Sequence, residues 1–448
     1  MVIFRVGRIG CIEVRELTTT ESDLDRRSSA EDPESEPPLR ERGSRPIPRH
    51  RSRPRHGATG WRARRRQRLA SRHSRFARHP IGTLLLILVV ALTPVWWSFG
   101  SAVTNSANGS PSAAAAEWVR GHGGASLVRW IENVWYSHHQ PPKGGAPPKG
   151  AIPKPVATGT TTNAGVVHLP VPPAIVPFAS PAIAGEGQWH PAGPLVKGVP
   201  AMYEAFLRPD PVHTSLVAGV VWMDTTLLKA TLYSGSYIPG GGPWADTAPV
   251  TPSAAQSLVA AFNAGFRMQD AQGGYYTQGQ TVFPLKAGGA SFVIYANGKA
   301  TVGAWGTEVK MAPNVVSVRQ NLQLLVDNGA TVPGLNANDT TAWGLTLGNQ
   351  VYVWRSGVGV TANGALVYVG GPGLNITTLA DLLIRAGAVR GMELDINTDW
   401  VNFSTYSPAP GSPASSSNGS TLLSNMSGGP GRYFTGWPRD FVTMSAAP

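Results

Sequence analysis

The chain has 448 residues and a formal net charge of +12, yet residues 1–80 hold 20 Arg and no Lys against 10 acidic side chains. The positive charge therefore belongs to that segment, and residues 81–448 are close to neutral. The only cysteine, Cys11, also lies in the first segment, which excludes disulfides, cysteine zinc sites and a cysteine nucleophile from the rest of the chain.

Residues 1–80 read as a basic tail. Its densest run, from Arg62 to Arg78, leads straight into an apolar stretch. A basic stripe suits nucleic acid, but this placement is that of a cytoplasmic flank held inside by its arginines, so no nucleic-acid partner is expected. Residues 81–103, IGTLLLILVVALTPVWWSFGSAV, carry no charge. At ~1.5 Å per residue, about 20 apolar residues cross the hydrocarbon core of a bilayer. Trp96 and Trp97 stand where an aromatic belt is expected. An 80-residue leader is too long for a signal peptide. One transmembrane helix in contact with membrane lipid is the expectation, with the N-terminus cytoplasmic and the C-terminal domain extracytoplasmic.

Residues 104–139 form a juxtamembrane amphipathic segment with roughly helical spacing of Trp118, Leu127, Trp130, Ile131 and Trp135. Residues 140–183 are rich in Pro and Gly and read as a semi-extended stalk. Residues 184–448 carry many short strand patterns. Leu216–Met223 and Leu227–Tyr233 are β-rich. Thr251-Pro252 opens a helix over the adjoining SAAQSLVAAF. Asn297-Gly298 and Asn363-Gly364 mark two hairpins. Thr378–Ala386 reads as a helix with a Thr378/Asp381 capping box and a Gly387 stop. A short strand over Gly391–Ile396 and a closing strand over Arg439–Met444 come next, with a flexible tract at Pro408–Gly431 between them. The fold class expected is a β-dominated α+β domain of short strands and hairpins with a few helices.

The domain is poor in ionisable groups, so its acidic cluster stands out. In Gly391-Met392-Glu393-Leu394-Asp395-Ile396-Asn397-Thr398-Asp399-Trp400, a regular strand puts Glu393 and Asp395 on one face, about 6.6 Å apart from a rise of ~3.3 Å per residue. That distance couples their titration and suits a pair in which one acid and one base or nucleophile act on a glycosidic linkage. A solvated strand end is the plain alternative. Asn263-Ala264-Gly265-Phe266 places an amide at a tight turn. Arg355, before Ser356-Gly357-Val358-Gly359, suits a phosphate clamp. No serine elbow, H-E-x-x-H or Walker loop occurs, and neither a metal nor a cofactor is expected.

The order of these segments resembles the phosphodiester glycosidase family, and in particular a bacterial membrane-anchored branch of it. The residues that carry the resemblance are Asn263-Ala264-Gly265-Phe266-Arg267-Met268, the run Val318–Gly329, Arg355–Gly359, and Met392-Glu393-Leu394-Asp395-Ile396-Asn397. Ala264 and Ile396-Asn397 stand where that family carries glycines. The resemblance implies a hydrolase that cleaves a sugar–phosphodiester linkage, here in an envelope glycan. Asp395 and Glu393 would be its acid/base pair, Arg355 would hold phosphate, and Asn263, Asn397 and Asp399 would contact sugar hydroxyls. The alternative is a non-catalytic envelope protein that binds glycan or organises a surface assembly on the same fold.

Overall fold

The computed structural model describes residues 80–104, 111–124, 126–128, 130–131, 140–154, 165–339, 342–344 and 351–448. The basic tail with Cys11 lies outside the described residues, apart from Pro80, as do parts of the juxtamembrane segment and residues 155–164 of the expected stalk.

The uncharged apolar run forms α1 (Pro80–Thr104). By length and composition it is a candidate membrane span. Thr93 Oγ1 donates to Val89 O at 2.9 Å within the helix, which satisfies a hydroxyl among apolar neighbours. After it comes α2 (Pro111–Val119). Its Trp118 Nε1 donates to Ser98 Oγ at 3.0 Å, and the Trp118 ring meets Phe99 edge to face at 5.2 Å. The helical path then kinks at His122 and Gly123.

The Pro/Gly-rich stretch touches the domain at several points. Gly144 N donates to Val212 O at 2.7 Å, and Thr214 Oγ1 donates to Gly145 O at 2.7 Å. Leu169 N donates to Asp224 Oδ2 at 2.7 Å, and Ile175 is buried.

The domain is built from three antiparallel sheets. The chain begins with β1 (His190–Val196), β2 (Val199–Leu207) and β3 (Ala218–Met223) of an eight-stranded sheet. It then lays down β4 (Leu228–Tyr233), a single helical turn α3 (Pro252–Ala255) and β5 (Leu258–Asn263). A five-stranded sheet is built next from β6 (Tyr275–Thr277), β7 (Gln280–Phe283), β8 (Ala290–Tyr295), β9 (Ala300–Ala304) and β10 (Val315–Gln320). The eight-stranded sheet resumes with β11 (Leu324–Asp327), β12 (Ala330–Thr331), β13 (Val353–Thr361), β14 (Leu366–Leu374) and, after α4 (Ile376–Arg385), β15 (Ala388–Ile396). The last sheet joins β16 (Phe403–Tyr406), β17 (Gly419–Thr421) and β18 (Phe441–Ala446) to β5 and β4.

The eight-stranded sheet is covered on both faces, which explains why β3 is apolar and buried throughout. On one side, Leu379, Leu382 and Leu383 of α4 pack on Val326, Val367 and Val369. On the other, Val358, Tyr368, Met392 and Leu394 meet Phe262 and Phe403 from the last sheet. Phe262 stacks on Phe403 at 5.6 Å, and such aromatic pairs add about 0.5–1.5 kcal/mol beyond area burial.

Three local expectations change. The helix from Pro252 stops after one turn, although Thr251 does cap it at Ala254 N. The Leu258–Asn263 stretch becomes a wholly buried central strand, because an apolar run of six fills an inner sheet position better than a one-sided helix face. Helix α4 starts two residues earlier than the sequence suggests, with Asn375 Oδ1 accepting from Thr378 N at 2.7 Å. The tract from Pro408 to Gly431 contains β17 and sends Leu422, Leu423 and Met426 into the core. Both Asn-Gly hairpins and the Gly387 stop form, with Gly298, Gly364 and Gly387 at φ of 78°, 88° and 93°.

Candidate functional site

The acidic cluster ends β15, between β13 on one side and β11 on the other. Its geometry is set by a break in register. Arg355 of β13 pairs with Ile396, but Gly357 pairs with Glu393. Two steps on β13 thus oppose three on β15, which is a β-bulge with one extra residue. Ser356 Oγ fills the bulge: it donates to Asp395 O at 3.0 Å and accepts from Asp395 N at 3.1 Å. It also accepts from Asn263 Nδ2 at 2.9 Å.

The bulge takes Glu393 and Asp395 out of simple alternation, and each carboxylate finds its own arginine. Glu393 Oε1 accepts from Arg355 Nη1 at 2.5 Å. Arg355 Nε also donates to Leu374 O at 3.2 Å, and both side chains are almost wholly buried. Glu393 Oε2 has no hydrogen-bond partner among the described residues. Asp395 Oδ2 accepts from Arg439 Nη2 at 2.7 Å, with side-chain exposure of 6% and 9% for the two. Its Oδ1 accepts from Ile396 N at 2.8 Å. The spacing along the strand therefore does not produce a shared proton; each acid is coupled to a cation instead. Burial pushes Glu393 up to about 7, with Arg355 opposing it. Burial likewise pushes Asp395 up to about 7, against Arg439. Removing an ion from water costs several kcal/mol, and a nearby opposite charge returns only part of it.

The remaining expected residues fall in two places. Asn263 is interior: besides its bond to Ser356, its Oδ1 accepts from Tyr368 Oη at 3.1 Å and from Asn402 N at 3.1 Å. Asn397 and Asp399 lie on the half-buried turn after β15. Asn397 has φ 95°, a conformation that glycine adopts freely and that asparagine tolerates better than most residues. This accounts for Asn397 at a position where the resembling family has glycine. Asn397 Oδ1 accepts from Asp399 N at 3.1 Å, and Asp399 Oδ1 accepts from Ser427 Oγ at 3.2 Å. Ala264, at the other altered position, is buried and is not among the residues with positive φ. At Gly265 the space is tight, since a Cβ there would come within 3.2 Å of the Arg319 guanidinium. Phe403 is core. Trp400 is half-buried and lies under Arg439 at 4.6 Å.

Sequence reasoning missed Ser356, Arg439 and the Arg319–Asp440 pair at 2.6 Å. Ser356 sits inside a segment already singled out. Arg439 gave one faint signal: a cation between Trp437 and an apolar strand, in a domain where few acids are available to hold it. Among the described residues no three His, Cys, Asp or Glu side chains group as metal ligands.

Together, the sheets and the arginine-held carboxylates define a β-dominated domain with a compact buried polar site. Residues 256–395 match the model of the phosphodiester glycosidase family. The span holds Asn263, Arg355, Ser356, Glu393 and Asp395, and ends before Asn397, Asp399 and Arg439. Comparison with curated proteins gives no match. Among solved structures, the chain is similar to the catalytic domain of zebrafish N-acetylglucosamine-1-phosphodiester alpha-N-acetylglucosaminidase, auto-inhibited by its pro-peptide, at 15% identity and a TM-score of 0.36, covering 57% of this chain and 87% of that one. It is also similar to a protein from Synechocystis at 14% identity and a TM-score of 0.31, covering 57% of this chain and 64% of that one. The likeness to that family rests on the 256–395 match.

Proposed function

We propose that this chain is a membrane-anchored extracytoplasmic hydrolase that cleaves a sugar–phosphodiester linkage in a cell-envelope glycan. The observation that carries the reading is the pair of arginine-held carboxylates, Glu393 and Asp395, inside the matched span. Groups with values near 7 are suited to give and take protons at neutral pH. Each is held by its own arginine, so the two acids titrate against separate cations. Asp395 retains slight exposure and is the group we assign to the glycosidic oxygen or anomeric carbon. Glu393, more deeply set with one unpartnered oxygen, is its acid/base partner. Asn397 and Asp399 on the neighbouring turn would meet sugar hydroxyls. Asn263 acts one step back, by holding Ser356 and through it the bulge.

The anchor supports the location. Helix α1 is long and apolar enough to span, and the arginines concentrated before it favour an N-terminus inside the cell. Protease treatment of intact cells should then cut the domain and spare the tail.

The activity test uses the full chain in detergent with a chromogenic α-N-acetylglucosaminyl phosphodiester and with envelope glycans. Turnover that collapses in Asp395→Asn supports the hydrolase. Glycan binding without turnover, unchanged in Asp395→Asn, would favour the non-catalytic envelope protein instead.

A further inference from the structure

Four of the domain's buried arginines invite comparison. Arg208 is held by Glu186 at 2.7 Å, Arg319 by Asp440, and Arg355 by Glu393. Arg432 is as buried as these, at 4% exposure, but carbonyls hold it. Its Nη2 donates to Ser427 O at 2.6 Å, and its Nη1 reaches Trp400 O at 3.5 Å. A buried cation normally needs an anion to offset its lost hydration. Arg432 Nε, Arg439 Nε and the Tyr433 hydroxyl lack partners among the described residues.

The surroundings are organised. Arg432 lies over the Trp437 ring at 4.2 Å, Arg439 over Trp400 at 4.6 Å, and the two indoles are 5.6 Å apart. Stacking on an aromatic face fixes a guanidinium plane while leaving its edge donors free for an oxyanion. The charges of Asp399 and, less strongly, Asp395 act on Arg432, and Arg439 holds Asp395 directly at 2.7 Å, so both cations belong to the region of the candidate site. The turn Ser427–Gly431 lies directly on Arg432: a Cβ at Gly428 would run into the guanidinium, and Gly428 and Gly429 have φ of 79° and 58°. Glycine there allows the turn to lie this close.

We propose that Arg432, Arg439 and Tyr433, seated on Trp437 and Trp400, form an oxyanion subsite for the phosphate group of the substrate, covered by the Ser427–Gly431 turn. The identification of that phosphate as the substrate's rests on the phosphodiester hydrolase reading; the binding of phosphate does not. A planar guanidinium edge pairs with two phosphate oxygens at once. Ser427 O occupies the Arg432 donor that a phosphate oxygen would take, so entry of the anion exchanges one acceptor for a charged one. Arg439 keeps its Nη2 on Asp395 and offers its unpartnered Nε, whereas Arg355 has Nε on Leu374 O and Nη1 on Glu393 and is left to hold that carboxylate.

The test is calorimetric titration of the full chain in detergent with inorganic phosphate, with glucose 1-phosphate and with uncharged N-acetylglucosamine. Wild-type protein should bind both phosphates. Arg432→Gln should weaken phosphate binding by about tenfold or more, Arg432→Lys should fall between, and circular dichroism melts should show the fold retained. Tyr433→Phe removes one hydroxyl and keeps the packing, so it should weaken phosphate binding several-fold even if Arg432→Gln fails to fold. Equal phosphate affinity in wild type and Tyr433→Phe, or in wild type and a folded Arg432→Gln, overturns the proposal. So does failure of the wild-type chain to bind either phosphate. If phosphate binding falls as expected while no phosphodiester is turned over, the subsite stands and the hydrolase reading fails. If turnover is present and phosphate binding ignores Arg432, the subsite fails and the hydrolase reading stands.

Discussion

Strand β15 carries two acids two positions apart that live in different surroundings. Glu393 is sealed against Arg355 beneath the α4 side of the sheet. Asp395, displaced by the Ser356-filled bulge, turns to Arg439, just before β18. Identical chemistry on one strand is thus split into a closed pair and a pair at the rim. A one-residue bulge can therefore do what a change of sequence would otherwise do: it assigns one carboxylate to an arginine of the neighbouring strand and the other to an arginine 44 positions along the chain.

The largest expected effect breaks the rim pair. Asp395→Asn keeps the shape and the Ile396 contact but removes the charge, and turnover should fall by about 10²–10⁴-fold, the range for loss of a positioned acid or base. Steady-state kinetics read this directly, and an unchanged kcat would mean that Asp395 does not meet substrate. Next comes the closed pair. Arg355→Leu leaves Glu393 buried without its cation, and urea denaturation should report a loss of about 3–5 kcal/mol. Arg439→Leu should cost less, because Asp395 keeps a little water; equal costs would dissolve the distinction between the two pairs.

The pH dependence bears on the same contrast. Both acids are raised from ordinary values of 4.5 and 3.8 to about 7, so the folded chain holds protons that the unfolded chain releases. Their contribution to stability is full below the unfolded values and is lost as pH rises towards 7. Melting temperature should therefore decline over that window from this source, and Glu393→Gln should flatten the decline. A slope unaltered in Glu393→Gln would show that Glu393 is ionised throughout. The smallest effect is expected at the turn beside the rim pair. Asn397→Gly relieves the φ of 95° but loosens the unfolded chain and gives up the Asp399 contact, so stability should change by no more than about 1 kcal/mol. A much larger loss would mean that the Asn397 side chain holds the turn.

Much of the fold could be read locally. The Asn-Gly dipeptides marked their hairpins because those turns require positive φ. Gly387 marked the end of α4 for the same reason. The apolar run of α1 announced itself by length alone. The failures came where packing overrode local preference: Leu258–Asn263 is a strand because the inner position between β16 and β18 is fully enclosed, and Leu422, Leu423 and Met426 turn a polar tract inward.

The candidate site divides along the same line. Residue order was enough to single out Glu393, Asp395, Arg355 and Asn263 as the unusual residues of an acid-poor domain, since a charged group in an apolar segment is visible without any structure. Which of them face one another was settled by the folded chain. Arg355 met Glu393 across the register break that interrupts regular alternation between β13 and β15. Asp395 met Arg439, 44 positions along the chain, because the bulge reversed that alternation and the closing strand brought its cation there. Pairing across such a separation depends on register and sheet packing, and no local spacing rule encodes either.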